Sequence, residues 1–152
     1  MLAAWRIVRE KHASTAFTGE GAAKTGGRWN SRGMLVIYTS ASKALAALET
    51  LVHLNPPVSF KYVAFRLEFD EKLVEQVALK ALPADWQVEP PPPSTKRIGD
   101  TWVQGVRSAV LVLPSVIISG ESNFLLNPAH PDFKKISIGK PESFTFDTRL
   151  LS

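Results

Sequence analysis

The chain contains no cysteine, which excludes a disulfide framework, a thiolate nucleophile and a cysteine metal site. Its three histidines, His12, His53 and His130, have separations that match no zinc-ligand spacing. No apolar run approaches the roughly 18 residues that a membrane-spanning helix needs. The opening residues Met1-Leu2-Ala3-Ala4-Trp5-Arg6 lack the basic and long apolar regions of a secretory signal, so a cytoplasmic protein is the expectation. Two nucleotide motifs are also missing. The run from Gly19 to Gly27 is glycine-rich but fits neither G-x-x-x-x-G-K-[ST] nor G-x-G-x-x-G, and it lacks their strand-then-helix context. There is no G-x-S-x-G elbow for a serine hydrolase. Glu20, Glu49 and Glu121 are candidates for a glycosidase carboxylate pair, but nothing in the sequence fixes a separation.

What remains is 152 residues, 45% hydrophobic and 21% charged, enough for one domain over residues 1–152 with a real core. The net charge of +4 favours anionic partners. The basic pairs Lys96-Arg97 and Lys134-Lys135 are not interleaved with aromatics and read as solvated surface. A basic nucleic-acid-binding module built on them is the reading from a different class. No RRM, KH or helix-turn-helix signature supports it, so direct nucleic-acid binding is not expected.

Strands are expected at residues 3–8, 34–39, 60–69, 73–77, 109–113, 115–119, 124–126, 136–138 and 144–146, from alternating or β-branched runs. Phe60 to Phe69 alternates with Val63, Phe65, Leu67 and Phe69 on one face, as a half-buried strand does. A polar loop from about His12 to Gly33 is long enough to be functional. Ser40 or Ser42 caps a helix that Asn55-Pro56-Pro57 stops. Its apolar face is Leu45, Leu48, Leu51 and Val52, with Glu49 roughly 40° outside that stripe. His53, four residues on, is a ready helical partner for Glu49. The run Pro90 to Pro93 is a stiff spacer, and Ser94 caps a second helix to Val106. No repeat and no regular βαβ alternation occurs. The expected class is α+β, a twisted mixed or antiparallel sheet with packed helices.

The most informative stretch lies between Thr18 and Tyr38, which holds five of the nine glycines around Gly26-Gly27-Arg28-Trp29-Asn30. Glycines let the backbone come close to a ligand, and a guanidinium beside them can fork onto phosphate or carboxylate oxygens. Tyr38 ends an apolar run and Glu49 lies on a helix edge. Arginine, tyrosine and glutamate across loop, strand and helix point to a phosphorylated, aromatic ligand. Ser115, Ser122 and Asn123 read, by composition alone, as turn chemistry.

Taken together, Trp5-Arg6-Ile7, Phe17-Thr18-Gly19-Glu20-Gly21-Ala22, Gly26 to Asn30, Tyr38-Thr39-Ser40, Ala44 to Glu49 with His53, Leu113-Pro114-Ser115 and Ser122 to Pro128 resemble the RES-domain family. These are toxins of bacterial toxin–antitoxin modules, named for an arginine, a glutamate and a serine. The resemblance implies a fold similar to ADP-ribosyltransferase catalytic domains and cleavage of the nicotinamide–ribose bond of NAD. NAD is then a substrate and no cofactor or metal is required. The acceptor is water, inorganic phosphate or a protein side chain, and the partner an Xre-type helix-turn-helix antitoxin. The family's arginine maps to Arg28, its glutamate to Glu49, and its serine to Ser115 or Ser122. Glu49, Arg28, Tyr38 and Ser115 are the implied catalytic set. Arg6, Arg28, Tyr38, Ser122 and Asn123 are the implied substrate-binding set.

Overall fold

A computed structural model describes residues 1–53 and 60–151. Among the described residues, eight strands form one mixed sheet. They are β1 (Leu2–Arg9), β2 (Ile37–Ser40), β3 (Tyr62–Phe69), β4 (Val74–Gln76), β5 (Val110–Pro114), β6 (Ser122–Leu126), β7 (Ser137–Ile138) and β8 (Glu142–Phe144). The spatial order is β4-β5-β6-β2-β1-β3-β7, with β8 also on β3. Only β4 and β5 run parallel among these pairs. The helices are α1 (Glu20–Thr25), α2 (Lys43–Leu51) and α3 (Pro93–Gln104). A mixed sheet with packed helices is the expected class.

One face of the sheet carries a core of Ala4, Ile37, Phe65, Leu67, Phe69, Val110, Phe124 and Leu126. The other is covered in two halves. Trp102 of α3 packs on Leu111, Leu113 and Leu125, while Ala46 of α2 packs with Ile7, Tyr62 and Ala64. On the second face of β3, Tyr62 and Ala64 are buried, Glu68 is half-buried and Arg66 is exposed, so burial extends past the single face that the alternation marks. Period-2 alternation fails to report this because Tyr62 and Ala64 face α2 and Phe146.

Several local expectations change. The stretch from His12 to Gly33 is ordered into a 3-10 segment, Glu10–Thr15, and α1. Gly19 precedes α1 at φ 83 and Gly26 follows it at φ 73, both at a positive φ that suits glycine. Ser42, not Ser40, caps α2, accepting from the Leu45 amide at 3.0 Å, a cap worth about 1 kcal/mol. The buried stripe of α2 is turned toward Ala46, and Val52 is 58% exposed. The expected stop at Asn55-Pro56-Pro57 lies outside the described residues. Helix α3 begins at Pro93, with Pro92 as a cap without side-chain bond. Ser94 instead donates to Asp85 at 2.6 Å. Residues 115–119 form no strand. The Ser115 hydroxyl accepts from the Ile117 and Ile118 amides, at 3.1 Å each, so those donors cannot join a ladder.

Candidate active site

A cleft of about 1290 Å³ opens between the halves covered by α2 and α3. Its walls include Arg6, Arg28, Tyr38, Ser40, Glu49 and Asn123. Register explains much of this convergence. Ser40 pairs with Asn123 across β2 and β6, and Asn123 with Leu113 across β6 and β5. Paired residues share a face, and so do residues two apart on a strand. Tyr38, Ser40, Asn123 and Leu113 thus face the helices, and Ser115 follows two residues after Leu113.

Glu49 reaches this row from α2. Its Oε1 accepts from Ser115 Oγ at 2.8 Å and from Asn123 Nδ2 at 2.9 Å. Among the described residues, Oε2 has no protein hydrogen-bond partner. His53 lines the same cleft, but no Glu49–His53 bond forms among the described residues. The expected helical pair gives way to the charge-assisted bonds from the sheet.

Tyr38 is clasped at its tip. Its hydroxyl donates to Asn30 Oδ1 at 2.6 Å and accepts from the Trp29 amide at 3.0 Å. A Cβ on Gly27 would sit 2.6 Å from that hydroxyl, so only glycine admits the approach. Burial drives the Tyr38 hydroxyl well above its ordinary value of 10.0, despite the Trp29 amide pulling the other way. The ring stays a neutral phenol.

Strands β1 and β2 share one residue pair, Trp5 with Ser40. Beside it Arg6 donates through Nη1 to the Tyr38 carbonyl at 2.9 Å and through Nε to the Ala16 carbonyl at 2.7 Å. Burial lowers its guanidinium to about 10, which leaves it a cation at neutral pH.

Arg28 is not in open backbone, as the glycines around it suggest: its side chain is only 13% exposed. Nη1 donates to the Trp86 carbonyl at 2.9 Å and the Val88 carbonyl at 2.8 Å, and Nη2 to Glu89 at 2.5 Å. The segment before the proline run is therefore fastened to the site by its arginine. Glu89 and Pro91 line the cleft mouth with it.

Of the two candidate serines, Ser115 is buried and bonded to Glu49. Ser122 is adjacent to Asn123 on β6 and so faces the opposite side, with Phe124 and Leu126. Its carbonyl accepts from Ala41. The geometry joins Arg6, Arg28, Tyr38, Glu49, Ser115 and Asn123, and leaves Ser122 outside.

Residues without a role in the sequence reading complete the site. Asn30 holds Tyr38, Ser40 donates to Asn123 Oδ1 at 2.7 Å, and Lys96 Nζ donates to the Gly27 carbonyl at 2.8 Å. Lys96 is thus turned into the site loop and not out to solvent beside Arg97. Among the described residues, no cluster of His, Asp and Glu could hold a metal ion, and no helix is long and apolar enough to cross a membrane.

Comparison with known proteins agrees along almost the whole length. The RES domain family matches residues 3–147. Over 153 residues the chain is 39% identical to the "Prs ADP-ribosylating toxin" of Sphingobium sp. (strain YBL2), covering 97% of this chain and 95% of that protein. It is 36% identical over 148 residues to "Toxin Res" of Yersinia enterocolitica, covering 96% and 97% respectively. Among solved structures, the M. tuberculosis MbcT–MbcA toxin–antitoxin complex contains a chain with the same fold. The TM-score is 0.75 at 15% identity, covering 95% of this chain and 84% of that one. On the family match and these identities, the chain belongs to the RES domain family.

Proposed function

We propose that the protein is the toxin of a bacterial toxin–antitoxin pair and depletes NAD by breaking the nicotinamide–ribose bond. The observation that carries this reading is the Glu49 carboxylate. It stands on the wall of a cleft shared with Arg6, Arg28 and Tyr38, with one oxygen held by two donors. Loss of a cationic nicotinamide builds positive charge on the ribose, and a preorganised carboxylate stabilises that charge. Oε2 of Glu49 is the atom for a ribose hydroxyl or the developing cation. Arg28 recognises the diphosphate through charge-assisted bonds, and Arg6 adds positive potential from below Tyr38. The neutral Tyr38 ring offers the nicotinamide a flat face without a charge. Ser115 acts on Glu49 and not on the substrate directly.

The fold in this reading is that of ADP-ribosyltransferase catalytic domains, and the neutralising partner an Xre-type helix-turn-helix antitoxin. The acceptor is water or inorganic phosphate. The name of the Sphingobium relative, an ADP-ribosylating toxin, favours a second reading in which a protein side chain accepts the ADP-ribose.

Incubation with NAD, with and without phosphate and with candidate proteins, followed by mass spectrometry of the sugar product, tests both readings. Catalytic release of nicotinamide is expected, with Glu49→Ala at least about a hundredfold slower. Release no faster than from Glu49→Ala sinks the NAD reading. Steeply salt-dependent RNA or DNA binding through Lys96, Arg97, Lys134 and Lys135 would favour the nucleic-acid alternative instead.

A further inference from the structure

We propose that Ser40 is a positioning residue for Glu49, acting through the side-chain amide of Asn123. The size of its kinetic effect rests on the NAD reading; the positioning itself does not.

Ser40 ends β2 and is only 3% exposed. It pairs in register with Asn123, and its hydroxyl donates to Asn123 Oδ1 at 2.7 Å. On the other side of that amide, Nδ2 donates to Glu49 Oε1 at 2.9 Å. An asparagine side chain has one acceptor end and one donor end. The carboxylate selects the donor end, because the reverse orientation would set two acceptors against each other. The oxygen then needs a donor of its own, and Ser40 supplies it. Without that hydroxyl a polar atom is left short of a partner, at a cost that draws the amide toward other donors.

The consequence falls on Glu49. With the relay intact, Oε1 is held from β6 by Asn123 and from the end of β5 by Ser115. Two donors on one oxygen fix the carboxylate plane and direct Oε2. With Ser115 alone the carboxylate pivots, and a misplaced catalytic group costs rate far more than binding. Because Ser40 also lines the cleft, a direct contact with substrate is the competing explanation. That contact would raise KM and leave Asn123 out of the effect.

The test compares Ser40→Ala, Ser40→Thr, Asn123→Ala and the Ser40→Ala/Asn123→Ala double variant in nicotinamide release. Ser40→Ala is expected to lower kcat about tenfold with KM for NAD within about twofold, and Ser40→Thr to restore most of the loss. In the Asn123→Ala background, Ser40→Ala should cost no more than about a further twofold, since residues acting in one relay are not additive. A wild-type kcat, an effect confined to KM, or full additivity overturns the proposal. A second measurement needs no turnover: the side-chain amide signals of Asn123 in nitrogen-resolved NMR. They should move in Ser40→Ala and stay in Ser40→Thr; unmoved signals in Ser40→Ala also overturn it. If the wild-type protein releases no nicotinamide, the NAD reading falls and the amide signals alone decide the relay. Should Ser40→Ala fail to fold, Ser40→Cys, of similar size with a weaker donor, takes its place with the same expected loss.

Discussion

Ser115 Oγ donates to Glu49 Oε1 at 2.8 Å, tying the residue just past β5 to the last turn of α2 across 66 residues of chain. The Ser115 oxygen itself accepts from the Ile117 and Ile118 amides, so one hydroxyl closes a turn and orients a carboxylate. The two partners should therefore fail differently. Glu49→Gln is expected to stay within about 1 kcal/mol of wild-type stability, because the partly exposed site tolerates an isostere, while nicotinamide release falls at least about a hundredfold. Ser115→Ala should lose about 1–3 kcal/mol, from amides left unpaired, as well as rate. Urea unfolding beside the release assay separates the two. Near-wild-type turnover in Glu49→Gln would remove the carboxylate from the chemistry.

Arg28 enters with three of its hydrogen-bond contacts already made, one to Glu89. Glu89 is 73% exposed, and an exposed ion pair contributes at most about 1 kcal/mol. If its carboxylate competes with the diphosphate for the guanidinium, Glu89→Ala lowers KM for NAD up to about fivefold. Arg28→Lys cannot fork onto both carbonyls and a phosphate, and should raise KM at least about tenfold. Steady-state kinetics reads both. A higher KM in Glu89→Ala would mean that the pair positions Arg28 and does not restrain it.

The sequence exposes those parts of this architecture that local patterns encode. Alternation locates β3, and Ser42 sits where a cap belongs. Glu49, Arg28 and Tyr38 are recognisable because their flanking motifs keep family order. What stays hidden depends on distant partners. Helix α1 is masked by Gly21 and its flanking glycines, which depress helix propensity. The run 115–119 is β-branched, yet Pro114 and the Ser115 hydroxyl remove it from the sheet. Ser40 looks like a second cap candidate, and its actual partner lies 83 residues away. Nothing near Arg28 in sequence announces Glu89, 61 residues on.

Tyr38 makes stability depend on alkaline pH. Burial raises its hydroxyl above the ordinary 10.0, so above pH 10 the unfolded chain loses a proton that the folded chain keeps. The folded state then binds more protons, and stability falls as pH rises. Its contribution is complete below pH 10 and should decline by about 1.4 kcal/mol by pH 11. Tyr62, the other tyrosine, shifts in the same direction. Tyr38→Phe should cost about 1–3 kcal/mol at pH 7, from the Trp29 amide and Asn30 oxygen left behind, but show a shallower decline between pH 9 and 11. Urea unfolding across that range measures the slope. An equal slope in both proteins would contradict a buried, protonated phenol.

Helix α3 supports the arginine loop through three positions spaced i, i+3 and i+4. Lys96 donates to the Gly27 carbonyl at 2.8 Å, and Asp100 accepts from the Ser31 amide, also at 2.8 Å. Between them Gly99 lies so close that an added Cβ would stand 1.6 Å from the Trp29 carbonyl oxygen. Both Trp29 and Gly99 are buried, and the obstacle is backbone, which cannot rotate aside. Gly99→Ala should therefore destabilise by about 2–3 kcal/mol, seen as a Tm lower by roughly 5–10 °C. By pushing α3 off the loop it should also displace Arg28 and raise KM for NAD. Gly21→Ala is the contrast, since a Cβ there meets nothing within 4 Å and alanine favours the helix by up to about 1 kcal/mol. Calorimetry of the two variants beside wild type decides: equal melting temperatures for Gly99→Ala and Gly21→Ala would mean that α3 does not brace the loop bearing Arg28.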